Sequence, residues 1–220
     1  MNRALFPIPV LLVTVFLLIR AEFRGQQRQV YFFKPLSTLL VILVAALSLT
    51  TPKADAGYTA GILAGLILSL GGDVALMFPS AKAFLAGLAL FLLAHVAYAV
   101  VFTLFNGFHA GDLVSGVVLL ALAIAVYLYL RPGLGKMDSP VVGYIVIICL
   151  MVNRAISAFF GTAFTPTQAW LIAAGAVLFW ISDLMLAVNR FRRPFRTHRL
   201  GLAFYYGGQL LIALSPAYFG

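Results

Sequence analysis

A chain of 220 residues that is 63% hydrophobic and only 10% charged is not a soluble domain, because soluble domains carry about 25% charged residues. A formal charge of +9 would point to nucleic acid in a soluble protein. In a membrane protein a basic cytoplasmic face accounts for it, and no nucleic-acid partner is expected. The one cysteine, Cys149, excludes an intrachain disulfide and reads as a small buried hydrophobe. With only His95, His109 and His198, no Cys/His cluster and no HExxH motif, neither a metal site nor a cofactor is expected.

The apolar runs reach about 20 residues, enough to cross the bilayer core as helices, and none alternates as barrel strands do. The pattern predicts an all-α membrane protein with eight transmembrane helices, at roughly 4–20, 34–50, 57–78, 82–105, 112–130, 140–160, 167–189 and 200–218. The first follows Met1-Asn2-Arg3 and ends in Arg20-Ala21-Glu22 without an A-x-A-like cleavage site. It is therefore expected to be retained rather than removed as a signal peptide. Short connections carry Thr51-Pro52, Phe78-Pro79, Arg131-Pro132-Gly133 and Ser139-Pro140, so residues 1–220 read as a single transmembrane domain. One set of loops collects Arg20, Arg24, Arg28, Lys34, Lys82, Arg131, Lys136, Arg190, Arg192, Arg193, Arg196 and Arg199; the other collects Arg3 and Lys53. Twelve cations against two put both termini outside and the loops after helices 1, 3, 5 and 7 in the cytoplasm.

Two acids stand inside apolar runs. Gly72-Asp73 and Ser182-Asp183 each follow a small residue, precede a leucine three positions on, and lie 183 − 73 = 110 residues apart. A carboxylate at the centre of a membrane helix costs about 2.5–3.5 kcal/mol on insertion scales, so such a residue is a functional candidate by default. The spacing suggests two parallel four-helix pseudo-repeats, about 1–110 and 111–220, that bring their acids together at one depth. Gly61, Gly65, Ser69 and Asp73 form a small-residue stripe suited to close helix packing.

The neighbouring helices add polar candidates. Gly87, Phe91, His95 and Tyr98 share a face of helix 4, and Tyr205 and Gln209 share one of helix 8 beside Tyr206. Lys34-Pro35 is expected to open helix 2, where Lys34 snorkels or meets a lipid phosphate or an aspartate. Arg154, inside helix 6 and toward the outer side, needs an anionic partner or a water path. Helix 5, nearly free of polar residues, is expected to face lipid. The basic cluster from Arg190 to Arg199 sets topology and touches anionic lipid, with an entrance for a phosphate-bearing substrate as a second role.

Lys34-Pro35, Gly72-Asp73 with Leu76, the Gly87–Phe91–His95–Tyr98 face, Ser182-Asp183 with Ala187, and Tyr205-Tyr206 with Gln209 together resemble the YhhN-type lysoplasmalogenase family. Gly207-Gly208 departs from the bulkier small residues expected there. The resemblance implies a membrane hydrolase that cleaves the vinyl ether bond of a lysophospholipid, with water as co-substrate. The products are a fatty aldehyde and a glycerophospho-ethanolamine or -choline. Asp73 and Asp183 would be the catalytic pair, sharing a proton as two acids in one low-dielectric site can. His95, Tyr98, Ser182, Tyr205, Tyr206 and Gln209 would support them, Lys34 would bind the phosphate, and Arg154 is a further substrate-binding candidate. The expected location is a bacterial inner membrane among its lipids, with the site toward the cytoplasm. A proton-coupled transporter, a hydrolase of another ether or lysolipid, and a lipid-binding protein with structural aspartates stay open beside this reading.

Overall fold

The computed structural model describes residues 3–219, which form helices and no strand. A 3₁₀ turn at Arg3–Leu5 leads into α1 (Ile8–Arg24), α2 (Gln27–Ser48), α3 (Ala56–Leu76) and α4 (Ala81–Asn106). Then follow α5 (Gly111–Leu130), α6 (Asp138–Ser157), α7 (Pro166–Phe191) and α8 (Gly201–Leu214). Eight helical spans of 21 to 26 residues are long and apolar enough to cross a membrane, each about 32–39 Å in length. Met1 and Asn2, which precede the first expected helix, lie outside the described residues.

Local chemistry sets the helix starts. The Asp55 carboxylate accepts from the Tyr58 N–H at 2.7 Å, Ser80 Oγ from Ala83 N–H at 3.0 Å, and Thr165 Oγ1 from Gln168 N–H at 3.2 Å, capping α3, α4 and α7. Pro166 occupies the first position of α7, where its missing N–H leaves no bond unmade. One expectation is corrected: α2 begins at Gln27, so Lys34-Pro35 lies inside the helix rather than at its opening. The Gln27–Phe33 segment extends the helix beyond the strongly apolar run, where hydropathy no longer marks it.

The bundle hides its polar side chains and shows its apolar ones. Lys34, Thr38, Asp73, His95, Arg154 and Gln209 are buried, whereas Phe16, Leu113, Val117, Leu120 and Trp170 are exposed. Helix α5 buries only Leu119 and Leu130, as its composition predicts for a lipid-facing helix.

Close helix approaches depend on glycine. A Cβ on Gly65 would lie 2.3 Å from the Tyr98 ring, and one on Gly72 would lie 2.7 Å from the Phe91 ring, so α3 seats the aromatic face of α4. Between α7 and α8 the contact is backbone to backbone: a Cβ on Gly208 would stand 2.7 Å from the Gly175 carbonyl oxygen. The Gly207-Gly208 departure thus has a packing reason at Gly208. Helix α2 also packs on α8, and α4 on α6, which joins the two halves of the chain.

Gly208→Val should push α8 off α7 and destabilise the fold by about 1–3 kcal/mol, the usual range for overpacking. Thermal unfolding in detergent reads this directly; an unchanged midpoint would mean the backbones are not in contact.

Candidate active site

Asp73 sits near the end of α3, buried against α2 and α8. The Thr38 hydroxyl donates to its Oδ2 at 2.6 Å and the Tyr205 hydroxyl to the same oxygen at 2.7 Å. Lys34 Nζ lies 3.5 Å from Oδ1. Three donors thus surround a carboxylate whose side chain is 2% exposed, the arrangement that a buried carboxylate requires. Lys34 is held in turn, because its backbone carbonyl accepts from the Tyr206 hydroxyl at 2.9 Å. Gln209 extends the network: its Nε2 lies 3.4 Å from the Tyr205 oxygen, and its Oε1 accepts from Tyr98 at 2.9 Å. Lys34, Asp73, Tyr98, Tyr205, Tyr206 and Gln209 are therefore one connected cluster drawn from α2, α3, α4 and α8.

Asp183 has different surroundings. The Tyr144 hydroxyl donates to its Oδ2 at 2.5 Å, and His95 Nε2 lies 3.7 Å from that oxygen. Neither ring nitrogen of His95 has a hydrogen-bond partner among the described residues. The imidazole is instead enclosed by rings, with Phe179 at 4.6 Å and Tyr144 at 5.3 Å between centroids. The Asp183 side chain is 15% exposed, several times more than Asp73. Among the described residues no hydrogen bond joins the two carboxyl groups.

What unites the aspartates is a cavity of about 450 Å³, lined by Lys34, Asp73, Ser182, Asp183 and Tyr205. Toward the loops its wall includes Glu22, Arg190, His198 and Arg199, so it opens on the basic face of the bundle. A second, narrower space of about 60 Å³ adjoins it. Val126, Ile148, Trp180 and Leu184 line this slot, while Asp183, Leu76, Phe84 and Phe91 line both spaces. Asp183 therefore stands where a polar cavity meets an apolar slot. No group of three or more His, Cys, Asp or Glu suited to a metal occurs among the described residues.

The YhhN family model matches residues 29–216, which include every candidate named above except Glu22. The chain belongs to the YhhN family. It is 34% identical over 158 residues to lysoplasmalogenase TMEM86A of Bos taurus; that match covers 70% of this chain and 64% of the relative, so the chain spans just under two thirds of it. It is 33% identical over 193 residues to human lysoplasmalogenase TMEM86B, covering 85% of this chain and 76% of the relative. It is 32% identical over 212 residues to membrane protein YhhN of Escherichia coli O157:H7, covering 92% and 94%. No solved structure matches the chain. Eight apolar spans and these membrane-protein relatives make this YhhN-family chain an integral membrane protein.

Arg154 stands apart from the aspartate cavity, at the opposite end of α4 and α6, and meets there the anionic partner that its place in an apolar helix requires. Its Nη1 donates to Asp112 Oδ2 at 2.5 Å, its Nε to Thr103 at 3.1 Å, and its Nη2 to Ser157 at 3.0 Å and to the Gly107 carbonyl. The Phe108 ring covers the guanidinium at 4.5 Å. Every donor nitrogen is thus engaged, and the partner is a protein carboxylate. Two site residues escaped the sequence: Thr38 and Tyr144. The first stands one turn after Lys34, a spacing that placed it on the same helix face; nothing in the apolar run around Tyr144 distinguished that tyrosine.

Arg154→Met should destabilise the protein by about 3–5 kcal/mol by stranding the Asp112 charge, and Arg154→Met with Asp112→Leu should recover part of that loss. Equal stability of the single and double variants in detergent would contradict a mutual pair.

Proposed function

We propose that this YhhN-family chain is a lysoplasmalogenase, a membrane hydrolase that cleaves the vinyl ether of a single-chain phospholipid with Asp73 and Asp183 as its catalytic acids. The observation that carries the proposal is the pair of carboxyl groups, unlike in their surroundings, lining one cavity that meets an apolar slot at Asp183. The names of relatives at 33–34% identity support the same reaction. A single-chain lipid has the matching polarity: a polar head for the cavity, apolar atoms beside the slot, and the ether bond near Asp183 between them.

The surroundings assign the roles. Donors face both oxygens of Asp73, the setting of a carboxylate that stabilises and accepts. Asp183, with one donor and a face on the slot, is the general acid. Its proton passes to the alkenyl carbon one bond beyond the ether carbon, leaving an oxocarbenium ion that the Asp73 carboxylate stabilises. Water attacks the ether carbon while Asp73 takes the released proton, and a hemiacetal forms. The hemiacetal then collapses: its hydroxyl proton returns to Asp183, the C–O bond breaks, and Asp73 returns its proton to the glycerol oxygen. One water is consumed, and both carboxyl groups regain their starting states. Acid plus carboxylate across an oxocarbenium-like state is also the logic of glycoside hydrolysis. Tyr144 orients Asp183, and Thr38, Lys34 and Tyr205 orient Asp73. His95 shields the acid from bulk water, and Ser182 lines the approach.

The paired loops and the cation bias support a cytoplasmic opening in a bacterial inner membrane, with each half contributing one acid as in a parallel repeat. In the transport reading the two aspartates carry protons through a pseudo-twofold core; Arg154, the polar residue outside the cavity, is closed onto Asp112.

Asp73→Asn and Asp183→Asn should each lower aldehyde release from a lysoplasmalogen by about a hundredfold or more, the usual range for general acid–base groups, while each variant stays monodisperse in detergent. Near-normal turnover in either variant would sink the paired mechanism.

A further inference from the structure

The mouth of the cavity carries charges that the chemistry at the aspartates does not use. Arg190 and Arg199 line it without a carboxylate partner within ion-pair distance among the described residues. Both are held by rings: the Arg190 guanidinium lies 4.9 Å above the Phe84 ring, and Arg199 lies 5.7 Å from that of Phe23. A guanidinium stacked on a ring keeps its N–H edge available for a forked contact with two oxygens. Glu22, next to Phe23 at the end of α1, also lines the cavity and also lacks an ion-pair partner among the described residues. Lys34 belongs to a different layer, since it lies against Asp73. The mouth thus presents two free cations and one free anion. A simple phosphate would satisfy the arginines and meet repulsion from Glu22; a cationic ligand would do the reverse. A group with a phosphate and an ammonium on one short arm satisfies both.

We infer that Glu22, Arg190 and Arg199 form a headgroup site for a zwitterion, with the phosphodiester on the two arginines and the ammonium on Glu22, so that Glu22 selects amine-bearing headgroups over a bare phosphate. The inference rests on the lysolipid reading of the cavity. Arg190 follows Asp183 by seven residues on α7, about 10 Å along the axis, so the headgroup site lies on the loop side of the aspartates.

The test uses saturated 1-O-alkyl lysophospholipids, which the proposed chemistry does not cleave, so binding is read apart from turnover. Calorimetry in detergent compares a phosphoethanolamine head with a phosphate monoester head. The wild-type protein should favour the phosphoethanolamine lipid by about tenfold, the scale of one charge-assisted contact. Glu22→Gln should erase that preference, Glu22→Asp should keep part of it, and Arg190→Gln or Arg199→Gln should weaken both lipids several-fold without changing their ratio. An unaltered preference in Glu22→Gln, or none in the wild type, overturns the headgroup site. The two readings fail separately. Binding with the expected preference but no aldehyde from the vinyl ether lipid removes the hydrolase and leaves the site. Aldehyde release from vinyl ether lipids with either head at equal efficiency in wild type and Glu22→Gln removes the site and leaves the hydrolase.

Discussion

The carboxylate of Asp73, buried among helices that are otherwise apolar, is the constraint on which the arrangement depends. A lone charge there is expensive, and the fold answers with donors from two other helices: Thr38 and Lys34 of α2, and Tyr205 of α8. Those contacts fix how α2 and α8 lie against α3. Tyr206 and Gln209, one and four residues beyond Tyr205, then tie the backbone of α2 and the side chain of Tyr98 on α4 to the same centre. The register of four helices is therefore coupled to one ionisable group. The glycine contacts let the helices come close enough for these bonds to form: Gly65 admits the Tyr98 ring, and Gly175 with Gly208 admits α8 onto α7.

The chain contains a second charge pair inside the bundle, and its surroundings differ from those of the aspartate cavity. The Arg154 guanidinium is held by Asp112, Thr103, Ser157, Gly107 and Phe108, and neither Arg154 nor Asp112 lines the cavity or the slot described above. Asp183 is the reverse case: one strong donor, a histidine just beyond hydrogen-bond distance, and a face on both spaces. In the proposed reaction, a carboxyl group at the junction between polar and apolar space exchanges a proton with the lipid that enters.

Much of this was legible in the sequence. Eight apolar runs interrupted by Pro and Gly read directly as eight helices, because length and hydropathy alone decide whether a helix can span a bilayer. Asp73 and Asp183 were conspicuous for the same reason, as charges in an apolar run. The three- and four-residue spacings in helices 4 and 8 put His95 beside Tyr98 and Tyr205 beside Gln209, where the structure has them on common faces. The start of α2 was not legible, since a helix that continues past the hydrocarbon loses its hydropathy signal. Tyr144 and Thr38 were missed because tyrosine and threonine are ordinary residues in membrane helices; only the packing of α6 on α7 and α2 on α3 gives them carboxylate partners. Arg154 was visible, but its partner Asp112 is 42 residues away in sequence, at the start of another helix.

The most direct test of the account is to run the reaction in heavy water. Purified protein in deuterated buffer is given a lysoplasmalogen and, separately, its saturated alkyl-ether analogue, and any aldehyde is trapped at once by reduction and analysed by mass spectrometry. Proton delivery to carbon predicts aldehyde from the vinyl ether alone, carrying one deuterium on the carbon next to the former carbonyl. Cleavage of both ethers, or aldehyde without that deuterium, would contradict an acid-initiated reaction at the two aspartates.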